Sequence, residues 1–287
     1  MATLNEWNEN RLLTVGARLS RCAPPLAAIA VFAFFLFSPA SVIAQTGFAN
    51  GASSPLNDTG ITSFSTAAGD GFSTEPADYP GQDGRYGRDA AAAGQLAKIG
   101  AGSKGFDFTK IANNGSELPA TAALGESASH WACTRDNVTR LMWEVKTTSG
   151  LRSLYYGASW YDSNSATNGG SPGDAGGNLC FTPGRCNTER YVEDVNAAGM
   201  CSYNDWRMPS ADELMSIVDY GRTSPAIDIE WFPNTGATSF WSASAYAAYS
   251  PRVGYSGFAW YVNFWNGDVG GLDKYYSYSV RLVRTVK

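Results

Sequence analysis

The sequence predicts an α+β fold with two short helices followed by a twisted antiparallel sheet. Glycine (31 residues) and aromatic residues (13%) are abundant, while charged residues make up only 16%. That balance favours short strands and turns over a helical bundle. Two capped, amphipathic stretches near 188–199 and 210–221 precede aromatic segments running to the C-terminus, and helices followed by strands in that order describe an α+β architecture.

The 287 residues, 44% of them hydrophobic, suffice for at least one full core. The N-terminus reads as a targeting segment over residues 1–44. Arg11, Arg18 and Arg21 precede an apolar run at 26–37, Ser38 and Pro39 break it, and Val42-Ile43-Ala44 supplies small residues before Gln45. The run is short for a bilayer span, so no membrane span is expected after cleavage. Without residues 1–44 the chain has 18 basic and 24 acidic residues, a net charge of −6. That sign gives no general attraction for nucleic acid or anionic membrane.

Four cysteines follow the targeting segment: Cys133, Cys180, Cys186 and Cys201. An even count in an exported chain favours disulfides. Three pairings are open. The preferred one joins Cys180 to Cys186 across a short loop through Pro183-Gly184, and Cys133 to Cys201 between the first core strand and the end of a helix. A metal site is disfavoured, since His130 is the sole histidine and no CxxC pair occurs. No cofactor is expected.

Residues 45–54 read as a linker and 55–130 as an irregular N-terminal wrap, rich in Gly, Ala, Ser, Thr and Asp. Within it, 90–93 can form a short helix, and Phe106-Asp107-Phe108-Thr109 is an apolar patch. The core domain occupies 131–287. Leu141-Met142-Trp143-Glu144-Val145 is a strand. The polar stretch 157–178 is a loop, whose Asp162, Asn164 and Asp174 match no EF-hand spacing and read as solvated residues rather than a calcium site. Thr188 caps the first helix, which carries Val192 and Val195 and ends at Gly199. Ser210 and Glu213 form a capping box for the second, predicted over 211–220, with Leu214, Ile217 and Val218 on one face and Gly221 as its terminator. Strands follow at 239–242, 258–265 and 278–286, with a hairpin turn at Asn266-Gly267. In the second of these, Trp260, Val262 and Phe264 form the inward set.

These blocks resemble the Lcl C-terminal domain family. Asp136-Asn137-Val138-Thr139-Arg140-Leu141-Met142-Trp143-Glu144 resembles its opening signature, and Asn204-Asp205-Trp206-Arg207-Met208-Pro209-Ser210 with Glu213-Leu214 a second block. Phe232-Pro233-Asn234-Thr235, Phe240-Trp241-Ser242 and Val280-Arg281-Leu282-Val283-Arg284 continue the pattern, and Leu56-Asn57-Asp58-Thr59-Gly60 is similar to its usual start. Arg140 stands where the family commonly has Gly, which leaves the local turn open. The resemblance implies an exported bacterial protein with a C-type-lectin-like fold, also used by formylglycine-generating enzymes and hypervariable receptors. It also implies kinship with adhesin tips that bind sulfated polysaccharide. Trp206 is expected to anchor the core, and Arg207 to hold Asp205 or loop carbonyls.

No G-x-S-x-G, HExxH or Walker motif is present, and His130 reads as a loop or packed histidine rather than a base. The chain is therefore expected to be a binder and not an enzyme. Between Tyr246 and Tyr278 lie seven of the 15 tyrosines together with Trp260 and Trp265, interleaved with Ser, Gly, Asn and Asp. This is paratope-like composition. Trp241, Trp260 and Phe264 are expected in the core. Tyr249, Tyr255, Tyr261, Trp265, Asp268, Tyr275, Tyr276 and Tyr278 form the expected ligand-binding face, for an extracellular glycan or protein. Two rival readings are a ligand-free structural envelope protein and a variable receptor of a diversity-generating retroelement. The second arises because Tyr261, Asp268, 270–273 and 275–279 are types reachable from AAC codons through their adenines, while Trp265 and Lys274 are not.

Overall fold

The computed structural model describes residues 57–85, 97–246 and 255–287. They belong to one compact unit spanning Ala52–Lys287. The targeting segment, the 45–54 linker and the helix expected at 90–93 lie outside the described residues.

The expected architecture of two short helices and antiparallel sheets is present. The largest sheet has five strands in the order β12-β6-β5-β3-β4. These are Val283–Thr285 (β12), Leu141–Glu144 (β6), Trp131–Asp136 (β5), Phe108–Ala112 (β3) and Glu117–Leu118 (β4). All five residues of β3 are buried, so the stretch read as irregular wrap contributes a core strand. β6 lies between two cores. Leu141 and Trp143 enter the first, with Phe106, Phe108, Leu214, Ile217, Phe232 and Phe240. Met142 enters the second, with Ile111, Cys133, Trp160, Trp206, Trp241 and Leu282. A strand covered on both faces reads as a continuous apolar run, as this one does.

The β5–β6 turn is built by Asp136, whose carboxylate accepts the N–H groups of Val138 (2.9 Å) and Thr139 (3.2 Å). Arg140 closes the turn at φ 58°, left-handed backbone that glycine adopts freely and arginine does not. The position where the resembled family commonly has Gly is thus one that favours glycine. Asn57 donates both to Asp136 and to the carbonyl of Ser216, so the N-terminal wrap ties this turn to the second helix.

The first helix, α1, spans Thr188–Ala198 and ends at Gly199 in left-handed conformation, as expected. Its cap is Asn187, one residue earlier than predicted, whose side chain accepts from the Arg190 N–H at 2.9 Å. The hydroxyl of Thr188 instead bridges the backbone N–H and carbonyl of Tyr161. The second helix, α2, has the predicted capping box but spans only Ala211–Met215. It stops well before Gly221 because the wrap takes over its backbone groups. Asn57 donates to the Ser216 carbonyl at 3.0 Å, and the Tyr220 N–H donates to Thr59 at 2.8 Å. Leu214, Ile217 and Val218 still share the first core.

Both preferred disulfides are present, Cys133–Cys201 and Cys180–Cys186. The first joins β5 to the 3-10 turn Met200–Ser202 that follows α1.

A three-stranded sheet, ordered β10-β9-β8, consists of Val269–Asp273 (β10), Phe258–Asn263 (β9) and Ser239–Ala245 (β8). A two-stranded sheet pairs Ser277–Tyr278 (β11) with Ala158–Ser159 (β7), and Phe64–Thr66 (β1) pairs with Gly69–Phe72 (β2). The closing strand expected over 278–286 is therefore two strands in different sheets. The chain leaves one sheet at Val280, in the second core, and the N–H of Leu282 then donates to the buried Glu144 carboxylate at 2.9 Å.

Candidate functional site

The three-stranded sheet also stands between the two cores. Phe240, Val262 and Phe264 enter the first, and Trp241 and Ala259 the second, with Tyr261 and Leu272 packed against it. Trp260, expected in the core, is half-buried. It shares a face with Val262, but the first core ends before reaching it, and its ring rests 4.5 Å from that of Tyr246. β10 passes beneath these rings through Gly270 and Gly271, opposite Tyr261 and Trp260. A Cβ on Gly270 would lie 3.1 Å from the Tyr261 ring, and one on Gly271 would lie 2.7 Å from the ring of Tyr246. These two glycines leave room for a ring on each face of the strand.

The expected binding residues fall into two groups, separated by the length of β10, about 15 Å. Trp265, 56% exposed, and Asp268 stand on the β9–β10 turn, where Gly267 at φ 87° confirms the predicted hairpin signal. At the other end, Tyr275 and Tyr276 are 70% and 58% exposed, with ring centroids 6.2 Å apart. Tyr261 and Tyr278 are half-buried at the edge of the second core, and the Tyr278 ring meets Trp241 edge-on at 5.2 Å. Burial raises the Tyr278 phenol pKa, and the phenols of Tyr276 and Tyr261 add to the effect. Tyr275 meets Tyr276 through its ring contact. Tyr249 and the Tyr255 side chain lie outside the described residues.

Lys274 holds the double-tyrosine turn. Its side chain is buried, and its ammonium donates to the carbonyls of Asn168 (2.9 Å), Ser171 (2.8 Å) and Ser256 (2.7 Å). The same group lies 4.2 Å from the Trp160 ring centroid. Burial lowers its pKa and Asp162 opposes that shift. One lysine therefore ties the 168–171 loop and the start of β9 to the tyrosine turn.

Sequence reasoning missed an exposed apolar group at the disulfide loop. Tyr155, Leu179 and Phe181 are 68%, 49% and 50% exposed. Phe181 meets Tyr156 edge-on at 6.1 Å, and the Gly157 N–H donates to the Leu179 carbonyl at 2.8 Å. Gly157 also abuts the backbone of Tyr278, so this group adjoins β11. The available signal was Phe181 itself, since a seven-residue disulfide loop has no interior in which to bury it.

The loop carboxylates serve the turns. Asp162 accepts from the Asn164 N–H and the Thr167 hydroxyl, and Asp174 from the N–H groups of Gly176 and Gly177. No cluster of three metal-ligating side chains occurs among the described residues. His130 is exposed and has no side-chain hydrogen-bond partner among the described residues. No helix among them is long and apolar enough to cross a membrane.

The second block of the resemblance frames the site. Trp206 is buried as expected, and its indole N–H donates to the Met200 carbonyl. Arg207 donates to the loop carbonyl of Met208 at 3.2 Å, as expected, and also grips Glu213 through both terminal nitrogens, at 2.7 and 2.6 Å. Asp205 pairs instead with Arg284 of the terminal block. The model of the Lcl C-terminal domain matches residues 132–284. The chain belongs to the Lcl C-terminal domain family. No curated protein and no solved structure matches it. The family match covers both helices, β5 to β11 and the tyrosine turn, so the candidate face lies within the Lcl C-terminal domain.

Proposed function

We propose that this Lcl C-terminal domain protein is an exported, non-catalytic recognition and adhesion domain with a C-type-lectin-like fold, binding a glycan or protein through its tyrosine-rich C-terminal face. The observation that carries the reading is the Tyr275–Tyr276 pair, two neighbouring exposed rings on a turn anchored by a buried lysine. Rigid amphipathic rings supply contact area to sugars and protein pockets alike. The two disulfides suit an oxidising compartment. They also occupy all four described cysteines, the residue type that formylglycine-generating enzymes use in reactive form.

Glycan-array and purified surface-protein panels, read with wild type and with Tyr275→Ala/Tyr276→Ala, test this. Binding should weaken by about tenfold or more in the variant, with an unchanged melting temperature. Undiminished binding would sink the reading. Panels silent for wild type would favour the ligand-free envelope protein.

The retroelement reading has one observation in its favour. Every AAC-reachable position named above retains solvent access, whereas Lys274 is buried scaffold. A template repeat and reverse-transcriptase gene beside this coding sequence would establish it, and complete flanks lacking both would end it.

A further inference from the structure

We infer that the free edge of β10 is a strand-addition site for an extended peptide of another protein, one carrying basic residues at both ends. This rests on the recognition reading and specifies its ligand class. The ladder phase is set by two bonds, from the Asn263 N–H to Asp268 (2.7 Å) and from the Lys274 N–H to Gly257 (2.8 Å). In an antiparallel ladder of that phase, Gly270 and Leu272 turn their backbone groups toward β9, while Val269, Gly271 and Asp273 turn theirs outward. The Asp273 carbonyl accepts from Tyr276. No other strand or bridge pairs with this edge among the described residues.

The outer edges of β12 and β8 are covered. Arg207 exchanges two backbone bonds with Val283 of β12, each 2.9 Å. Ser279 closes β8, accepting from Trp241 and donating to Ser239. β10 also lacks the usual protections of an edge: it holds no lysine or proline, and its register with β9 is unbroken. Gly270 and Gly271 allow close backbone approach, and Tyr261 and Tyr246 wall the two faces there.

Charge selects the occupant. Asp268 and Asp273 bracket the strand, and neither forms an ion pair among the described residues. A second copy of this chain pairing edge to edge would bring four carboxylates and no exposed cation to a five-residue ladder. An extended peptide with a lysine or arginine near each end meets both the backbone and the carboxylates.

The test uses the full chain and the peptide Lys-Thr-Val-Thr-Val-Lys, followed by amide hydrogen exchange. The Val269 and Gly271 amides should slow by about tenfold or more on binding, while those of Gly270 and Leu272, already bonded to β9, should not change. A glutamate-ended counterpart should bind at least about tenfold more weakly. Val269→Pro removes an outward N–H at the first strand position, where proline is tolerated, and should abolish binding that Val269→Ala keeps. An edge unprotected at millimolar peptide, or equal binding by both Val269 variants, overturns the inference. If that edge stays silent while ligands from the panels still depend on Tyr275 and Tyr276, strand addition fails alone. If the edge is protected and the ring variant loses nothing, the ring reading fails alone.

Discussion

Arg284 and Asp205, 79 residues apart, form a two-point ion pair, with Nε 2.6 Å from Oδ1 and Nη2 3.1 Å from Oδ2. The guanidinium is nearly buried and stacks 3.6 Å from the Tyr203 ring centroid, while the carboxylate is half-exposed. The pair fastens the terminal strand to the loop after α1, and the two partners are unequal. Removing Asp205 strands a buried cation, whereas removing Arg284 frees a carboxylate that can meet water.

This asymmetry gives a first prediction. Asp205→Ala should destabilise by about 2–3 kcal/mol and Arg284→Met by only about 1 kcal/mol, with a coupling of about 1 kcal/mol in the double-mutant cycle. Hydrogen bonding to Arg284 holds the Asp205 carboxyl below its usual pKa. The coupling should therefore be complete above pH 4 or so and vanish as pH falls through that lowered value. A cycle without coupling at neutral pH would refute it.

Arg140 sits at φ 58° with its side chain exposed. Arg140→Gly should be more stable than Arg140→Ala by about 1 kcal/mol, because only glycine avoids the left-handed penalty. Urea midpoints in the reverse order would show that the turn is not left-handed.

The disulfides should contribute unequally. They close loops of sequence separation 68 and 6. In the chain-entropy account these stabilise by about 4 and about 2 kcal/mol. Thermal melts of Cys133→Ala/Cys201→Ala and Cys180→Ala/Cys186→Ala should show the larger loss in the first.

Arg281 is wholly buried between Phe232 and Phe240. Nη2 donates to Thr235 at 2.6 Å, while Nε and Nη1 have no partner among the described residues. Burial pushes its pKa down to about 10, against the pull of Glu144. Glu144 already pairs with Lys146 at 2.9 Å, so Arg281 leaves one net buried charge at neutral pH. Arg281→Met should raise stability by about 1–3 kcal/mol at neutral pH, and a loss of more than about 1 kcal/mol would contradict this.

Features encoded locally were legible in the sequence. The Ser210–Glu213 capping box, the Gly199 stop, the Asn266-Gly267 turn and the Cys180–Cys186 loop each depend on residues close together in the chain. Features that depend on distant partners were not. Composition places lysine and arginine at the surface, so nothing announced the burial of Lys274 or Arg281. The length of α2 was overestimated because its backbone groups are taken by Asn57 and Thr59, far upstream. Trp260 was misplaced because alternation tells which face a residue occupies and not where along that face the core stops. The sequence shows the candidate face as one surface because spacing does not reveal that β10 separates Trp265 from Tyr275.

The carbonyl cage around Lys274 has a consequence for the thermodynamics of recognition. With all three ammonium protons taken by main-chain oxygens, the backbone carrying Tyr275 and Tyr276 is ordered before any ligand arrives. Association then avoids the entropy cost of ordering a loop. Titration calorimetry should show a negative heat-capacity change from ring burial without the large unfavourable entropy of coupled folding. Lys274→Met, which frees the three carbonyls, should bring that entropy back and weaken binding even though both rings remain.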